Sequence, residues 1–221
     1  MSEALKNQPD SGAPDFERLV QKIIESVDKA KLAEMRRDFH TRLRITLNQP
    51  DNTGLIEDLW DYFYDWCFFE HNLPETIETL SGEEAGVWKH VKVANQRGLY
   101  SVQKTPDTEL KLKELYTGEI FWVKNLKGAE QVAFSKGDFL EARLVGDPEA
   151  SKKQKYLFLR KPSYHPAEVH PYIKTKIKTF KRNKDFSTYQ NWLWLLVGMY
   201  LKHRLYSHLP IEKIYDDNSR I

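Results

Sequence analysis

The sequence predicts an α+β protein, with N-terminal helices, a central small antiparallel β-barrel or curved sheet, and a C-terminal helical pair. Two changes of period predict it. Apolar residues recur at helical spacing up to residue 97, alternate with period two from 98 to 162, and return to helical spacing from 163 onward. A third observation is the supply of core material: 6 Trp, 11 Tyr and 11 Phe in 221 residues, each ring contributing a large buried area. A chain of this length can bury a sizeable interior in one domain, or in a core with an appended subdomain.

Residues 1–14 read as a disordered leader punctuated by Pro9, Gly12 and Pro14. The helical layer, 15–97, begins with Phe16, Leu19, Ile23 and Val27, then Leu32, Met35, Phe39 and Leu43, which form one long apolar stripe or two short ones. A second helix carries Leu55, Leu59, Phe63, Trp66 and Cys67 on its buried side and stops before Pro74, which cannot donate the helical hydrogen bond. A third helical stretch is expected to close at Gly98.

The barrel segment, 98–162, contains "LYSVQK", "LKLKEL", "EIFWVKN", "EQVAFS", "DFLEARLV" and "KYLFLRK", with Gly118, Gly128 and Gly137 in the intervening turns. In "DFLEARL", Leu140, Ala142 and Leu144 should face inward and Glu141 and Arg143 outward, as in a half-buried strand. The C-terminal segment, 163–221, has a basic helix opened by Pro171 and an apolar helix over 186–209. The apolar helix is expected to pack on the helix over 55–72, or on a second copy in a homodimer.

Several classes of function are excluded or disfavoured. The longest apolar run, "WLWLLVGMYL", has ten residues, half of the roughly 20 a bilayer span needs. The N-terminus lacks the basic-then-apolar layout of a secretory signal, and the single Cys67 permits neither an internal disulfide nor a multi-cysteine zinc site. A reduced, soluble, cytoplasmic protein is the expectation.

No catalytic constellation is evident. Asp58, Asp61 and Asp65 share one helical side, with Glu57 and Glu70 nearby, but no second element announces further metal ligands, so a solvated or salt-bridged face is expected. His165, Glu168 and His170 in "YHPAEVHPY" read as a hinge between sheet and helix. Cys67, between Trp66 and Phe68, reads as buried filler. No phosphate-cradling glycine loop or nucleophile elbow is present, and no cofactor is expected.

Charge is distributed unevenly. Residues 152–221 hold 15 Lys and Arg against 5 Asp and Glu, whereas residues 1–151 hold 19 against 27. The basic part therefore either docks on the acidic part or meets an anionic partner. Lys174, Lys178, Lys181, Arg182 and Lys184 are the candidate contacts to such a partner, with Tyr116, Phe121 and Trp122 as candidates for base stacking on the barrel. The same rings also suit a barrel core, and Glu114, Glu119 and Glu141 are expected to make the barrel exterior acidic.

"DYFYDWCFFEHNLPETIETL", "GLYSVQK", "ELYTGEIFWV" and "KGDFLEARLV" occur in an order and spacing that resemble the conserved region of bacterial proteins often carrying an SEC-C motif. The resemblance covers about residues 55–166 and implies no stated activity. The cysteine-rich zinc-binding tail that names the family is absent, and the basic and apolar helices stand in its place. The expected function is that of a non-catalytic binding or adaptor protein with a protein partner. Nucleic-acid binding through the basic 152–184 segment and the barrel aromatics is the alternative, and a metal-dependent hydrolase a more distant third.

Overall fold

A computed structural model describes residues 16–45, 53–71, 80–105, 109–124, 134–147 and 155–219. The N-terminal stripe is two helices, α1 (Phe16–Glu25) and α2 (Lys29–Leu43). They part at Asp28, whose carboxylate accepts from the backbone N–H groups of Ala30 and Lys31 and so caps α2. Helix α3 (Thr53–Phe69) follows, then α4 (Gly82–Val93), which opens on a reciprocal capping box between Ser81 and Glu84. The proposed leader, Pro74, Gly128 and most of "EQVAFS" lie outside the described residues.

Six strands follow: β1 (Asn95–Lys104), β2 (Glu109–Glu114), β3 (Ile120–Lys124), β4 (Phe139–Gly146), β5 (Tyr156–Phe158) and β6 (Ser163–His165). Five of them close a barrel in the order β1-β2-β3-β5-β4 and back to β1, with β3 and β5 parallel and the other pairs antiparallel. Strand β1 is long enough to pair with β2 through its C-terminal half and with β4 through most of its length. Its start at Asn95 corrects the expected helix end at Gly98, which sits inside the strand opposite Ala142. A Cβ there would approach the Glu114 side chain to 2.9 Å, so the residue serves close packing and not a helix cap.

Strands β5 and β6 share one edge of β4, β5 pairing near Val145 and β6 near Leu140. The irregular residues 159–162 between them turn Arg160 toward the helices. The barrel interior is filled by Tyr100, Val102, Leu110, Leu112, Phe121, Val123, Leu140, Ala142, Leu144 and Phe158. The "SKGD" turn before β4 depends on Gly137 at φ 99°, a left-handed conformation open to glycine, with Asp138 accepting from the Ser135 N–H at 2.7 Å.

A 3₁₀ turn (Ala167–Val169) leads into α5 (His170–Asn183), α6 (Phe186–Leu205) and the short α7 (Ile211–Ile214). Helix α6 is the central pillar, touching α2, α3, α5, α7, β1 and β6. Trp192, Leu193, Trp194, Leu196, Val197 and Leu201 are buried by the chain's own elements, and α6 packs on α3 as expected. Its Gly198 lies against the end of α2: a Cβ there would fall 2.1 Å from the Leu43 carbonyl oxygen. Among the described residues, no helix is long and apolar enough to cross a membrane.

Candidate nucleic-acid interface

The barrel's outer surface divides into a covered half and an open half. On the covered half, β1 and β4 face α3 and α6, and β4 is buried on both sides. Glu141 and Arg143 do not point to water as alternation suggested. They join a matched set of charges between barrel and helices.

Arg143 Nε donates to Asp65 Oδ1 at 2.6 Å, and Arg160 Nε donates to Asp65 Oδ2 at 2.9 Å. Arg160 Nη2 reaches Glu141 Oε2 at 2.9 Å, and Arg97 Nε reaches Glu141 Oε1 at 2.9 Å. Arg97 Nη1 then meets Glu70 at 3.1 Å, whose other oxygen accepts from the Trp194 indole at 2.7 Å. The guanidinium of Arg97 lies 3.4 Å over the Trp194 ring, that of Arg160 4.0 Å over Tyr62 and that of Arg143 4.2 Å over Phe69.

Three arginines and three carboxylates thus neutralise one another. Burial opposes the charge on Asp65 and Glu141, yet the surrounding arginines outweigh it and hold both carboxyls below their usual range. For Arg160, burial is likewise outweighed by Glu141 and Asp65, which hold its guanidinium firmly protonated.

This set corrects two expectations. Asp65 is not on a solvated face with Asp61: it is 2% exposed, while Asp61 is at the surface, and the side chain of Asp58 lies outside those described. Glu114 and Glu141 do not make the exterior acidic either. Glu114 is inside the barrel end, where its carboxylate accepts from the Tyr189 hydroxyl, while Glu119 is exposed.

The histidine pair separates in the same way. His165 is buried, with Nδ1 at 3.0 Å from the Tyr215 hydroxyl, and burial pushes its pKa down to about 3. His170 stacks on Phe139 at 3.9 Å, and Glu168 is exposed. Cys67 is buried and its thiol pKa is pushed up by desolvation. Among the described residues, no group of three or more His, Cys, Asp or Glu is placed to hold a metal ion.

The open half is the outer face of β2 and β3 with the adjoining end of β1. Alternation sends Leu110, Leu112, Phe121 and Val123 inward, so Lys111, Lys113, Ile120, Trp122 and Lys124 face out. Register places Lys104 opposite Lys111 and Lys111 opposite Trp122, while Ser101, Lys113 and Ile120 form the neighbouring row. Trp122 is 38% exposed and Ile120 46%, on the same side of one short strand. The Lys111 ammonium sits 5.6 Å from the Trp122 ring centre. None of Lys104, Lys111 and Lys113 forms an ion pair with a described residue. Glu109, at the end of this face, is paired with Lys155.

The other sequence candidates distribute as follows. Phe121 is in the barrel core, edge-on to Tyr100, and is not available for stacking from outside. Tyr116, in the β2–β3 turn, is half-buried and stacks on Tyr189 at 4.8 Å. Lys174, Lys178, Lys181, Arg182 and Lys184 are all exposed on α5 and its C-terminal cap. The lysines flanking Trp122 escaped the sequence reading because they belong to "LKLKEL", in a segment read for its core pattern. No family model matches the chain, and no curated protein matches it.

Proposed function

We propose that this protein is a non-catalytic binding protein whose ligand is single-stranded nucleic acid, held on the outer face of β1, β2 and β3. The observation that carries the reading is Trp122, an exposed ring opposite Lys111, with Lys104 and Lys113 beside that pair and none of the three ion-paired with a described residue. An aromatic platform stacks any base, and ammonium groups around it follow the backbone charge without reading sequence. Ile120 extends the apolar surface by one strand position.

Fold supports the same face. The strand order, with β3 and β5 parallel, matches that of oligonucleotide- and oligosaccharide-binding Greek-key barrels, whose ligands lie on the strand 2–3 face. Because such barrels host many functions, this likeness adds weight only alongside the residues. Phosphates rather than sugars suit a face with three lysines that no described carboxylate pairs. The likeness to SEC-C-associated proteins contributes no ligand, since it implies no stated activity.

The test is fluorescence anisotropy of a labelled single-stranded oligonucleotide across a salt series, with a duplex of the same length as comparison. The full chain should bind the single strand more tightly, with affinity falling as salt rises, and Trp122→Ala should weaken binding. Equal affinity for Trp122→Ala and the parent chain would remove the stacking platform from the account.

A further inference from the structure

Helix α5 carries a second set of unmatched cations, and we propose that it holds the phosphate backbone of the same strand beyond the barrel, so that long ligands use both surfaces. The inference rests on the barrel-face reading above and adds a second interface to it. Lys174, Lys178, Lys181, Arg182 and Lys184 are exposed, and none makes an ion pair with a described residue. Lys176 on the same helix shows the contrast, being ion-paired with Asp217. The α5 sequence, "HPYIKTKIKTFKRN", contains no acid of its own. Asp185, just beyond it, is occupied as the α6 cap through the Thr188 N–H.

An aromatic step joins the two surfaces. Tyr116 belongs to the turn that leads into Ile120 and Trp122, and its ring meets that of Phe186 at 5.4 Å. Phe186 opens α6, is 45% exposed and lies two residues after Lys184. A strand leaving Trp122 toward the β2–β3 turn therefore finds a further exposed ring and then the C-terminal cations of α5. A lipid surface fits less well. A helix lying on a membrane needs a free apolar side, and Ile173 and Ile177, the apolar side of α5, are buried within the chain.

The experiment compares the full chain with a fourfold variant, Lys178→Gln, Lys181→Gln, Arg182→Gln and Lys184→Gln, on oligo(dT) of about 6 and about 16 nucleotides, near the lower and at the upper end of the site sizes of single barrels. Glutamine keeps helix propensity, and unchanged thermal melting confirms that the variant is folded. The short probe should bind both proteins alike. For the long probe, the variant should lose about tenfold or more in affinity, and its salt slope should be shallower by about 3.

If the short probe binds but the long probe does not distinguish the two proteins, the α5 proposal is overturned and the barrel reading stands. If the long probe alone binds, and the variant abolishes it, the barrel reading falls and α5 remains the phosphate contact. If neither probe binds, both fall. Loss of binding to phosphatidylserine vesicles, with the long probe unaffected, would reassign the helix to a membrane and also overturn the proposal.

Discussion

On the β1–β4 half of the barrel, Arg97, Arg143 and Arg160 each meet a carboxylate; on the β2–β3 half, Lys104, Lys111 and Lys113 meet none among the described residues. Both halves belong to one barrel, and both present cations on its outside. The difference is what lies opposite. Helices α3 and α6 bring Asp65, Glu70 and Trp194 to the first half, and such groups must be paired because burial penalises a bare charge. No described helix covers the second half, and its lysines have no carboxylate of a described residue opposite them. A matched interior set fixes how helices seat on the barrel, and the outer set is the surface on which the proposed ligand would add its charge.

The largest effect separating the halves should come from Asp65→Asn. It leaves Arg143 and Arg160 facing a neutral group in a closed interior, and stability should drop by about 3–5 kcal/mol in a urea titration. Oligonucleotide affinity of the folded fraction should not change. A loss under about 1 kcal/mol would mean that the set is not matched in the way described.

Gly198→Ala tests the seat of α6 without touching charge. The new methyl group meets the Leu43 backbone, which cannot yield as a flexible side chain can, so a loss of about 1–3 kcal/mol is expected in the same assay.

Acid probes the covered half through His165. Its folded pKa, about 3, lies below the ordinary value of 6.5, because burial disfavours the imidazolium. Below pH 6.5 the unfolded chain therefore takes up a proton that the folded chain refuses. This contribution to stability is full above that pH and falls by about 2 kcal/mol by about pH 5. His165→Gln should flatten that part of the stability profile. Asp65 and Glu141 act lower on the scale: their depressed folded values support the fold above about pH 4.5 and lose that support as protons are added below it.

On the open half, Trp122→Ala should leave stability within about 0.5 kcal/mol and weaken single-strand binding by about 1–3 kcal/mol. The smallest effect belongs to Lys113→Gln, which should lower the salt slope by about 0.7 with melting unchanged. A slope equal to the parent's would take Lys113 off the ligand path.

Much of the architecture was legible from period alone. Alternation in "LKLKEL" and "EIFWV" placed Leu110, Leu112, Phe121 and Val123 on one side of each strand, and the barrel interior follows that pattern. The same alternation misplaced Glu141 and Arg143, because period says which residues share a face but not whether a helix covers that face. Asp65 was misread for the same reason: a charged residue in an aromatic helix looks solvated until Arg143 and Arg160 arrive from strands and turns 78 and 95 residues away. Trp122 was legible as a ring on a strand. Its exposure depends on register with Phe121 and on the absence of covering helices among the described residues, which local sequence does not encode.

The comparison between halves meets its most direct test in the ¹H–¹⁵N indole spectrum of the six tryptophans, recorded while a single-stranded oligonucleotide is added and assigned with Trp122→Phe. Trp122 should shift strongly, while Trp194, whose indole donates to Glu70 inside the covered half, should stay where it is. Movement of Trp194 with Trp122 unmoved, or a spectrum that ignores the ligand altogether, would contradict the assignment of the open face as the binding surface.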